Sequence, residues 1–308
     1  MVKLGWKSTA DDVIRASRIS LAGKTAIVTG GNTGIGKETV QSLAKAGARV
    51  VFTARSVSKA DAAADYIRAA VKDANIVTKQ MDLTDLSSIK AFTADFLKTE
   101  ERLDLLICNA GVMACPQEYT SAGFELQIGT NHFGHFALVQ QLIDRLQAQT
   151  FPSRIVVVAS LAYAFGAIDI DDLHFRKRAY TKWSAYGQSK LANVLFAKQL
   201  ATRTPDHVSV FSLHPGLVKT ELGRHLMDSA SFTARITQFF LSPVLKRPDQ
   251  GAATSVFAAT HPGLEQHCGA YFEDCAVAKL STKAAKDMDM AARLWDATEQ
   301  QLAACQAA

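Results

Sequence analysis

No apolar run in this chain approaches the ~18 residues that a membrane-spanning helix requires, so no transmembrane span is expected. No secretory signal is visible either. Lys3, Lys7, Asp11, Asp12, Arg15 and Arg18 interrupt any apolar stretch near the start. Cysteine is scarce and odd in number, with five: Cys108, Cys115, Cys268, Cys275 and Cys305. None belongs to a Cys-x-x-Cys pair and no histidine cluster joins them, so neither a disulfide framework nor a bound metal is expected. Free thiols suit a reducing compartment. The expected location is cytoplasmic or organelle-associated, not secreted. The end Cys305-Gln306-Ala307-Ala308 misses the prenylation pattern because Gln306 is not aliphatic. No dense basic block with interleaved aromatics is present, which argues against nucleic acid as a partner. The tightest basic cluster, Arg176-Lys177-Arg178, reads as a solvated loop. No Pro/Gly/Ser linker and no repeat beyond a βα alternation divide the chain.

What remains is ordinary globular material: 308 residues, 48% hydrophobic, 20% charged, with a formal charge of +5. Ser8-Thr9-Ala10-Asp11-Asp12 resembles a helix start with acids in its first turn. Short β-prone runs then alternate with helix-length amphipathic segments. Strands are predicted near residues 25–29, 49–53, 76–81, 103–108, 154–160, 208–213 and 269–272. Helices are predicted between them, including a long one over about 130–146, one to about Ala201 and one from Pro248. Strands that are apolar throughout imply a parallel sheet covered on both faces. The expected fold is a single doubly wound α/β Rossmann domain with a mostly parallel seven-stranded sheet. Its expected limits are 21–280, with an N-terminal extension over 1–20 and a helical tail over 281–308.

Two local patterns carry chemistry. Gly30-Gly31-Asn32-Thr33-Gly34-Ile35-Gly36 follows the first strand and opens a helix closed by Gly47. Glycines there permit a sharp turn and close approach of a pyrophosphate to free N–H groups at a helix N-terminus. A ligand-free structural turn is the plainer alternative. Far downstream, Tyr186 and Lys190 stand four apart, one turn apart on one helix face. A fixed ammonium favours phenolate and is expected to lower the tyrosine pKa from its reference near ~10. Each feature alone has a dull explanation; tyrosine and lysine at this spacing are common on helix surfaces.

The second strand ends Val50-Val51-Phe52-Thr53-Ala54-Arg55-Ser56. An acid at that end would accept ribose hydroxyls and repel a 2′-phosphate. Ala54 followed by Arg55 favours NADPH/NADP+ instead. Arg55 could otherwise pair with a surface acid. Lys37 falls inside the helix and is read as solvated.

With these residues in order, the chain resembles the short-chain dehydrogenase/reductase family from about Leu21 to at least Phe272. The Thr-Gly-x-x-x-Gly-Ile-Gly turn, Cys108-Asn109-Ala110-Gly111, Asn131, Ser160, Tyr186, Lys190 and His214-Pro215-Gly216-Leu217-Val218-Lys219-Thr220 carry the likeness. Asn131-His132-Phe133-Gly134-His135-Phe136 and Tyr186-Gly187-Gln188-Ser189-Lys190-Leu191-Ala192-Asn193 are similar to its retinol dehydrogenase-like branch, which includes WW-domain oxidoreductases. The resemblance implies Asn131, Ser160, Tyr186 and Lys190 as the catalytic set. Tyr186 would be the general acid. Lys190 would tune it and hold the nicotinamide ribose. Ser160 would hold the carbonyl oxygen, and Asn131 would keep a relay water in place.

The resemblance also places the dinucleotide against Gly30, Asn32, Thr33, Gly34, Ile35, Gly36, Asp82, Leu83, Asn109, Ala110 and Gly111, with Pro215, Gly216, Val218 and Thr220 at the nicotinamide. Asp82 could equally be a turn residue. His214 is read as structural. The implied partner is a small carbonyl or alcohol, expected to be lipophilic. Twenty-six positions separate Ser160 from Tyr186, and the extra length either walls the substrate site or decorates the surface. A lid is expected over about 221–246. Its apolar residues leave open enclosure of substrate, peripheral membrane contact or packing on the core. The oligomeric expectation is a monomer or homodimer. Two other classes stay on the table: a dinucleotide-binding regulatory or assembly subunit with little turnover, and, remotely, a Rossmann-fold methyltransferase.

Overall fold

A computed structural model describes residues 3–218 and 245–307. Thr220 and most of the expected lid lie outside the described residues. The strands are β1 (Thr25–Thr29), β2 (Arg49–Ala54), β3 (Ile76–Gln80), β4 (Leu105–Cys108), β5 (Ser153–Val158), β6 (Val208–His214), β7 (Tyr271–Glu273) and β8 (Ala276–Ala278). They form one sheet in the order β3-β2-β1-β4-β5-β6-β7-β8. All neighbours are parallel except β7 and β8.

The sheet therefore has eight strands, not seven. The extra strand is a three-residue antiparallel edge, mostly exposed. It is too short for either hydrophobic alternation or a continuous apolar run to register.

The helices are α1 (Ala10–Ser17), α2 (Gly34–Lys45), α3 (Val57–Ala70), α4 (Leu86–Thr99), α5 (Leu126–Ile128), α6 (Gly134–Ala148), α7 (Lys182–Ala201), α8 (Pro248–Thr260) and α9 (Met288–Ala307). A π-helical stretch, Gly129–Phe133, joins α5 to α6. Alternate strand residues face opposite cores. Ile27 joins a core roofed by α4, α6, α7 and α9, whereas Ala26 and Val28 join one roofed by α1, α2, α3 and α8. Thr9 caps α1 reciprocally with Asp12, as its sequence suggests. Asp11 then reaches Ser42 and Lys45 of α2 at 2.6 Å each.

The topology sets where a ligand can sit. From β1 the chain runs outward to β2 and β3, then returns to β4 on the other side of β1. The helices leave in opposite directions there, so a crevice opens at the carboxyl ends of β1 and β4. Both the glycine turn and Asn109 lie at that crevice. Among the described residues, no helix is long and apolar enough to cross a membrane.

Two basic features are less solvated than their sequence suggests. Lys37 Nζ lies 3.8 Å from the centre of the Tyr66 ring. Asp172 gathers the backbone N–H groups of Arg176, Lys177 and Arg178 at 2.7, 3.1 and 2.9 Å. Arg178 also lies over Phe175 and pairs with Gln188. A buried carboxylate thus organises the basic loop.

Helix α7 is buried almost all round because the sheet lies on one side and α9 on the other. Trp295 anchors α9, with ring centroids 4.7 Å from Phe136 and 5.8 Å from Phe196. Trp295→Ala is expected to cost about 3–5 kcal/mol, read from urea unfolding. A loss below about 1 kcal/mol would show that α9 contributes little packing.

Candidate active site

The glycine turn is built by close approach. A methyl group on Gly36 would stand 2.2 Å from the Gly30 carbonyl oxygen and 2.6 Å from Asn109 Nδ2. Only glycine fits. Thr33 precedes α2 but makes no side-chain cap, so the first-turn N–H groups keep their capacity for an anion. These residues line a cavity of about 540 Å³. Its walls include Gly30, Asn32, Thr33, Gly34, Ile35, Gly36, Arg55, Asp82, Leu83, Asn109, Ala110 and Gly111. Thus every expected binding residue of the adenosine and pyrophosphate end lines one space. Asp82 is a turn residue that also borders the cavity. Its Oδ1 accepts from the Thr84 N–H and hydroxyl, at 2.9 and 2.8 Å, while the residue still borders the cavity.

Sequence reasoning missed several wall residues: Thr53, Ser56, Lys59, Met81, Val112 and Thr130. Lys59 was the recoverable one. It stands four positions after Arg55, and both border the cavity. None of the ion pairs among the described residues involves Arg55.

A buried polar chain links this cavity to the expected catalytic group. His135 Nδ1 lies 3.0 Å from the Asn131 carbonyl. A carbonyl only accepts, so Nδ1 carries the proton and Nε2 accepts from the Thr29 hydroxyl, 2.9 Å away. Thr29 Oγ1 in turn accepts from the N–H groups of Asn109 and Ala110, each at 2.9 Å. Burial pushes the His135 pKa down to about 4, which keeps this ring neutral.

The Asn131 side chain is fully engaged. Its Oδ1 accepts from Val112 N–H at 2.8 Å, and its Nδ2 donates to Val112 O and Ser189 Oγ at 3.0 and 2.9 Å. A methyl on Gly111 would lie 2.8 Å from Asn131 Oδ1 and 3.6 Å from Lys190 Nζ. Gly111 is therefore the junction between cavity wall and buried ammonium.

Tyr186 and Lys190 do share a face of α7. Lys190 Nζ is 5.8 Å from the Tyr186 ring centre and donates to Val158 O at 3.1 Å. β5 ends at Val158, so Ser160 lies beyond it and opens a 3₁₀ turn, Leu161–Phe165. The expected depression of the tyrosine pKa is not what the structure gives. Burial pushes Tyr186 up to about 12, with hydrogen bonding from Ser160 working the other way. Burial also brings Lys190 down to about 8. Both side chains are almost dry, and desolvation penalises both charged forms. The spacing of four residues shows proximity but carries no information on burial.

Pro215, Gly216 and Val218 do not line the cavity, although Val218 comes close to it. A methyl on Gly251 would touch both Val218 and Ile35 of the glycine turn. His214 accepts from Leu161 N–H at 3.2 Å, the structural part expected of it.

A sequence model of the short chain dehydrogenase family matches residues 24–230. This chain belongs to the short-chain dehydrogenase/reductase family. It is retinol dehydrogenase-like. Mouse (Mus musculus) retinol dehydrogenase 11 is 44% identical over 281 residues, covering 91% of this chain and 86% of that protein. Human (Homo sapiens) retinol dehydrogenase 12 is 43% identical over the same length and shares. Among solved structures, an uncharacterized protein from Mycobacterium Paratuberculosis matches with TM-score 0.72 at 33% identity, over 96% of this chain and 97% of that one. The Pseudomonas aeruginosa RhlG/NADP active-site complex matches with TM-score 0.62 at 28% identity, over 78% and 91%.

A short-chain dehydrogenase/reductase is an oxidoreductase that takes a nicotinamide dinucleotide. The residues present fit that group. The uncapped start of α2 and the Gly36 contact leave a cradle that a larger side chain would fill. Among the described residues, no group of three His, Cys, Asp or Glu side chains could hold a metal ion.

The buried ammonium has a thermodynamic signature. Lys190 falls from 10.5 to about 8 on folding, so the folded state binds fewer protons between those values. Its burial therefore costs stability fully below pH ~8, and that cost disappears as pH rises toward ~10.5. Lys190→Met is expected to stabilise the dinucleotide-free protein by up to about 3 kcal/mol at pH 7. The gain should shrink steadily from pH ~8 to ~10. A pH-independent difference in denaturant unfolding would contradict the burial argument.

Proposed function

We propose that this enzyme uses NADP(H) to interconvert a lipophilic carbonyl compound and its alcohol. The observation that carries the reading is the buried Tyr186–Lys190 pair, with Ser160 beside the tyrosine, abutting through Gly111 a cavity built on the glycine turn.

When bound, the reduced nicotinamide supplies a hydride to the carbonyl carbon. The chain's own residues handle the charge that develops on oxygen. Tyr186, protonated at neutral pH, donates its proton to that oxygen. Ser160 directs a hydrogen bond to the same atom. The Lys190 ammonium stabilises the phenolate left behind, whose formation is costly in so dry a site. Asn131, held by Val112 and Ser189, fixes the path by which the proton is restored. In the alcohol-oxidising direction the phenolate takes the proton instead.

Cofactor choice rests on the adenosine end of the cavity. Ala54 offers no carboxylate, while Arg55, Ser56 and Lys59, which follow β2, line the cavity. Two cations and a hydroxyl suit a 2′-phosphate. Lipophilicity rests on what surrounds the tyrosine. Trp183 meets its ring edge-on at 6.2 Å. Leu161, Trp183 and Leu217, each 40–49% exposed, adjoin Ser160, Tyr186 and Gly216. The relatives named retinol dehydrogenases point the same way.

The deciding assay follows NADPH oxidation against a panel of medium- and long-chain aldehydes and ketones. Tyr186→Phe should lose turnover by about a thousandfold and still bind NADPH. A wild type that binds NADPH without turning over any carbonyl would favour a regulatory subunit. For the cofactor, Arg55→Asp should cut the preference for NADPH over NADH by about tenfold or more. An unchanged ratio would remove the argument for NADP(H).

A further inference from the structure

The Pro215–Gly216 turn is held from below by a residue that the reaction does not use. Lys246 is 3% exposed. Its backbone N–H donates to Leu217 O at 2.7 Å, and it forms a parallel bridge with Val218. Its side chain then runs beneath the turn. A methyl on Gly216 would lie 2.6 Å from Lys246 Cδ and 3.0 Å from its Nζ, and Gly216 has φ of +93°. The left-handed backbone is what calls for glycine there, and the lysine stem packs directly against it.

The ammonium ends on Asp274, with Nζ to Oδ1 at 2.5 Å. Asp274 belongs to the turn between β7 and β8. It and Cys275 have φ of +50° and +59°. Left-handed backbone is unfavourable for side-chain-bearing residues and persists where surroundings impose it. Here Thr254 of α8 accepts from the Cys275 N–H at 3.3 Å, which fixes the turn to a core helix. The buried cation therefore spans from a rigid hairpin to the loop expected at the nicotinamide. His214 also faces it and is neutral, since burial and the nearby Lys246 both disfavour the imidazolium.

We propose that the Lys246–Asp274 pair is a positioning latch. It sets the Pro215–Gly216 turn and thereby the nicotinamide end of bound NADP(H), while leaving the adenosine end untouched. The inference deepens the NADP(H) reading above and rests on it. A buried charge that loses its partner must be rehydrated or moved, and here the movable element is the turn.

The test separates the two ends of the cofactor. NADP+ and adenosine 2′,5′-bisphosphate, which lacks the nicotinamide half, are titrated calorimetrically into wild type, Asp274→Asn and Lys246→Met. Asp274→Asn keeps a polar group on the hairpin, and Lys246→Met keeps the stem under Gly216, so the two variants perturb folding differently. Either variant that retains a cooperative thermal transition should weaken NADP+ by about tenfold or more. The same variant should bind the bisphosphate within about twofold of wild type. Lys246→Arg should recover part of the NADP+ affinity. Unchanged NADP+ affinity, or equal weakening of both ligands, would overturn the latch. Loss of a cooperative transition in both variants would also overturn it, since the pair would then serve the whole fold. A wild type that binds the bisphosphate and not NADP+ would refute the cofactor reading itself.

Discussion

The buried ammonium of Lys190 is the constraint around which this site is organised. A charged amine that is 4% exposed survives only if nearby oxygens replace water. One such oxygen is the Val158 carbonyl, at the end of β5, and Asn193 donates to the same atom. The strand end, α7 and the ammonium are therefore fixed together. The requirement extends to the other helix of the pair. Asn131 can stand beside Gly111 and Ser189 because the π-helical stretch widens one turn between α5 and α6. Sites that bury charge in this way give up stability for readiness.

A second constraint joins the two halves of the site. Thr29 ends β1 at the glycine turn, and Asn109 and Ala110 follow β4. The N–H groups of Asn109 and Ala110 both donate to the Thr29 hydroxyl. His135 carries the link onward to the Asn131 carbonyl. Every donor and acceptor in this chain has a partner. Neutral imidazole is the only state compatible with it, and burial enforces that state. The glycine turn and Asn131 are thus joined by a buried, charge-free connection.

Most of the fold was legible because it is written in long, strongly apolar elements. β1, β2, β5 and β6 are buried at nearly every position, and continuous apolar runs report such strands well. The edge strand β8 was not legible, since three mostly exposed residues carry no pattern. The glycine turn and the Tyr186–Lys190 pair were visible because their chemistry needs particular residues at fixed local spacing. His135 and the Lys246–Asp274 pair were not. Their partners lie far away in sequence, and only the folded topology brings them together. The tyrosine pKa was misjudged for a related reason. Charge proximity can be read along a helix, whereas desolvation depends on what covers it, and here burial outweighs the lowering effect of the Ser160 hydrogen bond.

The long stretch between Ser160 and Tyr186 shows how distant contacts turn length into architecture. Sequence left two choices for it, a wall or surface decoration. Asp172 is buried and folds the basic loop around itself. Gln188 of α7 then donates to Leu173 O at 2.8 Å, which ties the loop to the helix that carries the tyrosine. At the far end, the Tyr180 hydroxyl donates to Cys115 O at 2.9 Å, and Gln127 Nε2 donates to the same phenol oxygen. Gln127 Oε1 accepts from Ala114 N–H at 2.8 Å. The stretch is therefore fastened to α7 and to the loop that follows Gly111. Decoration does not need anchors in two buried places. Because Thr181 caps α7 immediately after Tyr180, these anchors also set where that helix begins. Trp183, in its first turn, is placed against Tyr186 as a consequence. The insertion thus determines which apolar surface the tyrosine faces.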